Sequence, residues 1–110
     1  PLSLYPERLR QQYGLPASGL MVQEVERNSP AARAGLRAPS RFAYIQLPTG
    51  EALQVGVDGD VLLKADGVPL SSIAQLRQVL YGKKPGEAVS LEVWRQGRTL
   101  TLRVVPQILR

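Results

Sequence analysis

The sequence predicts a single α+β domain, a small antiparallel β-barrel or sandwich with two to three short helices. Short segments that alternate apolar and polar residues are separated by turn dipeptides, a pattern typical of antiparallel strands. Between them lie short helical segments that begin at a capping signal and end at a glycine. The length of 110 residues suits one domain with one hydrophobic core.

Two short helices are predicted in the first third of the chain. Pro6–Tyr13 has proline at the first helical position and is followed by Gly14, which ends the helix. Ser29 can cap a second helix, Pro30–Ala34, because its side-chain oxygen accepts a hydrogen bond from a free first-turn amide. Gly35 then ends this helix.

The segment between these helices, Leu20–Val25, alternates and therefore predicts a strand. We expect Leu20 and Val22 on one face and Met21 and Val25 on the other, because successive side chains of a strand point in opposite directions.

A β-hairpin is predicted from Arg41 to Val55. The segment Arg41–Leu47 alternates, Pro48-Thr49-Gly50 forms a turn, and the alternation resumes at Leu53 and Val55. The expected faces carry Ala43, Ile45 and Leu47 on one side and Phe42 and Tyr44 on the other.

Further along, the apolar run Val61–Leu63 predicts a buried strand, and the dipeptide Asp66-Gly67 predicts a tight turn with positive φ. A final hairpin is predicted from the alternating segments around Gln96-Gly97. The glycines assigned to structural turns are Gly35, Gly59, Gly67 and Gly97.

The longest predicted helix is Ile73–Tyr81. Ser71 or Ser72 caps it, and Gly82 ends it. Four apolar residues form a stripe along this helix: Ile73, Leu76, Val79 and Leu80. We expect Ile73 to pack into the core, whereas one edge of the stripe is wide enough to contact a ligand.

The composition excludes several classes of site. The chain has no cysteine, so it has neither disulfides nor thiolate metal ligands. It has no histidine, which excludes a Ser-His-Asp triad and any histidine-ligated metal. Asp58, Asp60 and Asp66 do not follow the spacing of a calcium-binding EF-hand loop and are interpreted as turn residues. We therefore expect no catalysis, metal or cofactor in this chain.

The net charge is +5, from 14 basic and 9 acidic residues. Its simplest interpretation is a solvated basic surface, with some attraction for acidic peptides. Binding of nucleic acid is a weaker hypothesis, because the arginines are scattered and few aromatic residues are available to stack on bases.

Peptide binding is the function that these exclusions leave. An exposed strand edge beside an apolar helix can accept an extended chain as an added strand. The sequence offers Ile73–Tyr81 as the helical wall and the N-terminal segment as the strand. The predicted groove residues are Leu2, Leu4, Ile73, Leu76, Val79 and Leu80.

A series of short motifs covers nearly the whole chain. Its members are Leu4–Leu9, Gly14–Pro16, Gly19–Val22, Ser29–Ala32, Ala34–Leu36, Gly59–Val61, Asp66–Pro69, Leu76, Pro85-Gly86 and Gly97. Each motif alone is weakly specific. In this order and spacing they resemble the PDZ domains of bacterial serine proteases of the HtrA/Deg family.

This resemblance implies a PDZ-like fold of the circularly permuted bacterial type. It implies a module that captures C-terminal or exposed segments of unfolded proteins, with apolar C-termini, and that regulates or feeds an adjoining trypsin-like serine endopeptidase domain. The parent would then be a quality-control protease of the periplasm or cell envelope. The implied partners are peptide segments and the parent protease domain, with no nucleic acid and no membrane insertion by this domain.

The sequence departs from the family pattern in two places. Family members carry a carboxylate-binding loop, such as Tyr-Leu-Gly-Ile, just upstream of the strand that would end near Leu2–Leu4, and no such motif occurs here. We therefore expect the chain, which begins at Pro1, to be part of a longer protein and to bind peptide weakly. The hairpin from Arg41 to Val55 is also longer than in the commonest members, and we interpret it as a tolerated surface insertion.

Two alternatives stay open at this point. The chain could be a PDZ domain of a membrane-embedded zinc metalloprotease or of a secretion-system scaffold, which the sequence upstream of Pro1 would decide. It could also be a basic nucleic-acid-binding barrel, which would require the arginines to cluster on one face.

Overall fold

The computed structural model describes residues 2–106, so Pro1 lies outside the described residues. Within this range the chain forms three helices and eight strands, and the α+β prediction is confirmed. In chain order the elements are β1 (Leu2–Ser3), α1 (Glu7–Tyr13), β2 (Leu20–Val22), α2 (Pro30–Ala34), β3 (Phe42–Gln46), β4 (Ala52–Gly56), β5 (Val61–Ala65), β6 (Val68–Pro69), α3 (Ile73–Tyr81), β7 (Val89–Arg95) and β8 (Arg98–Val104).

The helix boundaries follow the capping signals. The hydroxyl of Ser29 accepts a hydrogen bond from the Ala32 amide, and α2 ends at Gly35 in the left-handed conformation, as predicted. Of the two serines proposed for α3, Ser72 is the cap, and it forms a reciprocal capping box with Gln75. The prediction for Pro6 was wrong by one position, because its extended backbone makes it the N-cap residue of α1.

The main sheet has six strands, paired in the order β1-β2-β5-β7-β8, with β6 also pairing with β5. All of these pairings are antiparallel. In the described part of the chain the sheet does not close into a barrel, and β1 and β8 lie at the two ends of this strand order. The predicted hairpin is present as a separate two-stranded sheet of β3 and β4, in register from Phe42–Gly56 to Gln46–Ala52.

The two faces of the main sheet carry separate apolar clusters. On the first, which we call the helix face, Leu20 and Val22 pack with Leu76 of α3. On the second, the opposite face, Met21 packs with residues that include Leu15. The predicted alternation of β2 is confirmed for its first three residues.

The prediction for Val25 was wrong. We expected it beside Met21, but Val25 packs against the cluster of the helix face. The physical reason is that β2 ends at Val22, so strand alternation no longer governs the direction of later side chains.

Two of the predicted turn glycines show why glycine is needed. The Asp66-Gly67 turn has φ of 48° and 81° at its two residues, as a tight hairpin turn requires. Gly59 does not have positive φ; instead, a Cβ placed there would lie 2.4 Å from the backbone oxygen of Val22. Gly59 therefore permits close approach of two chain segments.

Asp60 is the most buried charged residue in the described chain, with 1% of its surface exposed. Its Oδ1 accepts a hydrogen bond from Nε of Arg95 at 2.8 Å, and its Oδ2 accepts one from the terminal guanidinium nitrogen at 2.7 Å. Oδ2 also accepts the backbone amide of Arg37 at 2.9 Å. These hydrogen bonds raise the pKa of Arg95 above its usual value. The Arg95 guanidinium is therefore ionised across the physiological range.

Asp58 fixes the base of the β3–β4 hairpin. Its Oδ1 accepts the backbone amides of Ser40 and Arg41 at 2.7 and 2.8 Å, and its Oδ2 accepts the Ser40 hydroxyl at 2.6 Å. The amide of Val57 donates to the Arg41 carbonyl at 3.0 Å. Burial by itself raises the pKa of Asp58, but the hydrogen bonds from Ser40 and Arg41 outweigh it and lower the pKa.

We expect Asp60→Asn to lower the free energy of unfolding by about 3 kcal/mol, because it leaves the Arg95 guanidinium without its counter-charge. Arg95→Lys keeps the charge but loses the two-pronged geometry, and should cost about 1–2 kcal/mol. Glu92→Gln, which removes the exposed ion pair with Lys64, serves as control and should cost less than about 1 kcal/mol. Urea unfolding measures all three, and equal effects of Asp60→Asn and Glu92→Gln would contradict this assignment.

The hairpin base should weaken in acid. Because the folded-state pKa of Asp58 is lowered, its contribution to stability is complete above the unfolded value of about 3.9 and is lost as pH falls through the folded value. We expect the NMR shifts of the Ser40 and Arg41 amides to titrate together with a midpoint below about pH 3.9. Asp58→Asn should abolish this titration. A midpoint above that of an unfolded aspartate would show that the hydrogen bonds do not favour the ionised form.

Candidate functional site

An apolar cavity of about 300 Å³ lies on the helix face of the sheet. Leu62 and Leu91 line it from the central strands, and Leu76 and Leu80 line it from α3. Leu2 of the edge strand β1 completes the wall. The cavity therefore lies where the sheet, its edge strand and the longest helix meet.

The sequence of α3 explains how this helix reaches the cavity. The capping box at Ser72 fixes where the helix begins, and Leu76 and Leu80 are four residues apart, so they lie on one side of the helix. Leu76 is buried in the core cluster, while Leu80 is half-buried and packs against it. Leu80 is thus the α3 residue with apolar surface left for a ligand.

The edge strand β1 pairs with β2 through Leu2–Val22 and Ser3–Met21. No other strand among residues 2–106 pairs with β1. One backbone edge of β1 is therefore available beside the cavity, which is the arrangement that an added peptide strand requires.

The structure brings together three of the six predicted groove residues. Leu2, Leu76 and Leu80 line the same cavity. Leu4 is 58% exposed and lines a different cavity of about 210 Å³, because β1 ends at Ser3 and the chain then turns towards α1. Val79 packs against the core cluster and does not line the cavity.

Ile73 was expected in the core, and this expectation was wrong. It is 39% exposed and does not line the cavity. The packing contacts of α3 are made one and two turns later, by Leu76, Val79 and Leu80. The first turn of the helix therefore extends past the apolar core.

Sequence reasoning missed the part of the cavity wall that comes from the region of α2. Val25, Pro30, Ala31 and Leu36 line the cavity there. For Leu36 the sequence held a signal for this packing, because Leu36 is an apolar residue directly after Gly35, which ends the helix. A hydrophobic residue at this place commonly folds back onto its helix.

The cavity is suited to apolar side chains. Glu24 and Ser29 are its polar lining residues, and no lysine or arginine lines it. The Ser29 hydroxyl is already used, since it donates to the Glu26 carbonyl and accepts from the Ala32 amide. The described lining residues thus offer hydrophobic contact and no cation for a carboxylate.

Two further findings concern the described residues as a whole. Across residues 2–106, no helix has the length and apolar character needed to cross a membrane. In the same range, no three or more acidic side chains come together in a group that could hold a metal ion.

Comparison with known families gives a match over most of the chain. The family model described as "PDZ domain" matches residues 6–105. The chain is 36% identical over 88 residues to a probable periplasmic serine endoprotease DegP-like of Pseudomonas fulva, covering 78% of this chain and 18% of that protein. It is 33% identical over 85 residues to the serine protease Do-like HtrB of Bacillus subtilis, covering 76% of this chain and 14% of that protein.

A third relative is the periplasmic serine endoprotease DegP of Salmonella typhimurium, 31% identical over 97 residues, with 84% of this chain and 20% of the relative covered. The chain thus spans between 14% and 20% of the length of these curated relatives.

Solved structures show the same fold. The PDZ domain of HtrA3 bound to a phage-derived ligand, FGRWV, superposes with a TM-score of 0.68 at 24% identity, over 97% of this chain and 80% of that one. The HtrA-type protease AlgW with a decapeptide superposes with a TM-score of 0.67 at 25% identity, over 94% of this chain and 26% of that one.

Proposed function

This chain belongs to the PDZ domain family, and from that membership we propose that it binds an extended polypeptide segment between β1 and α3. Its PDZ domain is homologous to those of HtrA- and DegP-type serine proteases. The observation that carries the proposal is the apolar cavity at the unpaired edge of β1. The backbone of the bound segment would extend the sheet as a further strand, and its side chains would give selectivity.

The lining of the cavity supports a ligand that places an apolar side chain in it. Leu2, Leu76 and Leu80 surround a space of about 300 Å³, which suits one large apolar side chain and disfavours a charged one. The HtrA3 PDZ domain was solved bound to the phage-derived ligand FGRWV, and AlgW was solved with a decapeptide, which supports a peptide ligand for this domain. We infer that the last side chain of the segment enters the cavity.

The relatives support a proposal about the longer protein. All three are named as serine proteases, and two of them are named as periplasmic. We therefore propose that the parent is an extracytoplasmic serine endoprotease, and that this domain captures segments of unfolded substrates and regulates or feeds the protease domain. These relatives favour the serine protease over the zinc metalloprotease and scaffold alternatives.

We propose no role in nucleic-acid binding or membrane insertion for this domain. A nucleic-acid interface would need arginines gathered on one surface. Here the arginines within the regular elements are distributed over α1, α2, α3, β7 and β8, at Arg8, Arg10, Arg33, Arg77, Arg95, Arg98 and Arg103. Arg95 is moreover held by Asp60.

The groove is tested by fluorescence anisotropy with a labelled pentapeptide of sequence FGRWV. Leu80→Asp should weaken its binding by at least about tenfold, because a carboxylate then lines the apolar cavity. Tyr81→Asp introduces the same charge one residue further along α3, at a side chain that is 82% exposed, and should change binding less than about twofold.

Circular dichroism of both variants establishes that they are folded. Equal weakening by Leu80→Asp and Tyr81→Asp would mean that net charge, not the cavity, governs binding. Full-strength binding by folded Leu80→Asp would place the groove elsewhere. Leu76 is not used for this test, because it is buried in the core and an aspartate there would destabilise the fold.

We also expect this chain to cleave no protein by itself, because it contains no histidine and no nucleophile motif. Incubation with unfolded casein, followed by gel electrophoresis, should leave the casein intact. Cleavage that persists in repurified protein and responds to mutation of a serine in this chain would contradict this expectation.

A further inference from the structure

A second and larger cleft, of about 610 Å³, lies on the other side of the sheet from the candidate groove. Trp94 of β7 lines it, whereas its neighbour Val93 packs into the cluster of the helix face. Since successive strand residues point to opposite faces, the cleft and the groove are separated by the thickness of the sheet. A ligand in one would not touch the other.

Aromatic side chains form one wall of this cleft. Tyr13, from the end of α1, and Trp94 both line it. Both are half-buried and pack against the cluster of the opposite face, which holds their rings in place. They therefore present fixed planar surfaces against which an apolar group could stack.

The base of the β3–β4 hairpin also lines the cleft, through Ser40, Arg41, Val57 and Asp58. The backbone of Arg41 is held on both sides, because its amide donates to Asp58 and its carbonyl accepts from Val57. The hairpin base thus supplies to the cleft an arginine whose backbone is fixed.

The two charged residues lining the cleft, Arg41 and Asp58, differ in their unused hydrogen-bonding capacity. Asp58 already accepts hydrogen bonds at both oxygens, from Ser40 and Arg41. Among residues 2–106, the guanidinium of Arg41 makes no hydrogen bond and no ion pair. Asp58 keeps its negative charge, because these donors are neutral, but its oxygens are occupied. The charged group in the cleft with unused hydrogen-bonding capacity is the Arg41 guanidinium, whose five donors suit a carboxylate.

We propose that this cleft is a second recognition site, which binds an acidic segment of a polypeptide in which Asp or Glu stands next to an aromatic or large aliphatic residue. The acidic side chain pairs with Arg41, and the apolar neighbour packs on Trp94 and Tyr13. The site goes beyond the proposed groove, because it needs neither a free C-terminus nor the edge of β1. It also gives the β3–β4 hairpin a role in binding.

The size and charge of the cleft favour a polypeptide over a nucleic acid. Its volume lies within the range of about 300–1,000 Å³ that is usual for ligand sites. Only one unpaired cation among the described residues lines it, whereas a nucleic-acid strand requires several phosphate contacts for useful affinity. The net charge of +5 on the whole chain adds long-range attraction for an acidic segment.

Trp94 is the only tryptophan in the sequence, so its fluorescence reports directly on the cleft. The probe is the peptide acetyl-Gly-Glu-Phe-Gly-amide, which is blocked at both ends and therefore has no terminal carboxylate for the groove. We expect it to change the intensity or wavelength of the Trp94 emission in a saturable way. The matched peptide with Gln in place of Glu should bind about tenfold more weakly.

Arg41→Gln should weaken binding of the Glu peptide about tenfold, and Arg41→Lys should weaken it less, because lysine keeps the charge without the paired donors. Arg103→Gln makes the same change in net charge at an exposed position of β8, in register with Ser90 and away from the β7–β8 turn. It should alter affinity less than about twofold. Leu80→Asp should leave the response of the Trp94 emission to the Glu peptide unchanged, since Leu80 lines the groove and not the cleft.

Several results would overturn the proposal. One is a Trp94 emission that does not change when the Glu peptide is added. Another is equal affinity for the Glu and Gln peptides. A third is equal loss of affinity for the Glu peptide in Arg41→Gln and Arg103→Gln. Displacement of the Glu peptide by oligo-dT would assign the cleft to nucleic acid instead. Because FGRWV binding is measured separately by anisotropy, failure at the cleft is distinguishable from failure of the groove.

Discussion

The buried carboxylate of Asp60 is the interaction on which the arrangement of the chain depends. It holds the guanidinium of Arg95 and the amide of Arg37, while its backbone carbonyl accepts the amide of Val22. Arg95 in turn donates to the carbonyl of Gly35 at the end of α2. One residue thus joins β2, the end of α2, the start of β5 and the last hairpin. Its charge is tolerated in the interior only because each oxygen is hydrogen-bonded.

With these segments fixed, the alternation of the strands creates two different surfaces on one sheet. The apolar side chains that face α3 and α2 leave a space at the edge strand β1, and this space is the candidate groove. The intervening residues, with Met21 and Trp94 among them, face α1 and the hairpin base. The candidate groove and the proposed cleft share no lining residue, because each strand residue points to one face of the sheet.

The β3–β4 hairpin shows how far local sequence information extends. Its strands, its turn and its two faces followed from alternation and from Pro48-Thr49-Gly50, and the register confirms them. Its relation to the rest of the domain did not follow. From the sequence we interpreted Asp58 as a turn residue. In the structure its carboxylate accepts hydrogen bonds from the amides of Ser40 and Arg41, which lie 18 and 17 positions earlier. Such pairing depends on the approach of distant segments, for which no local pattern exists.

The sequence by itself determined the helices, the hairpins, the turn at Asp66-Gly67 and membership of the PDZ family, because caps, glycine backbone angles and alternation act over a few residues. Only the tertiary structure decided that Leu2 and Leu80 share a cavity while Leu4 and Ile73 do not. It also decided that Asp60 pairs with Arg95, 35 positions away. These outcomes depend on where each strand ends and on which segments pack together, and both are set by the burial of the whole core.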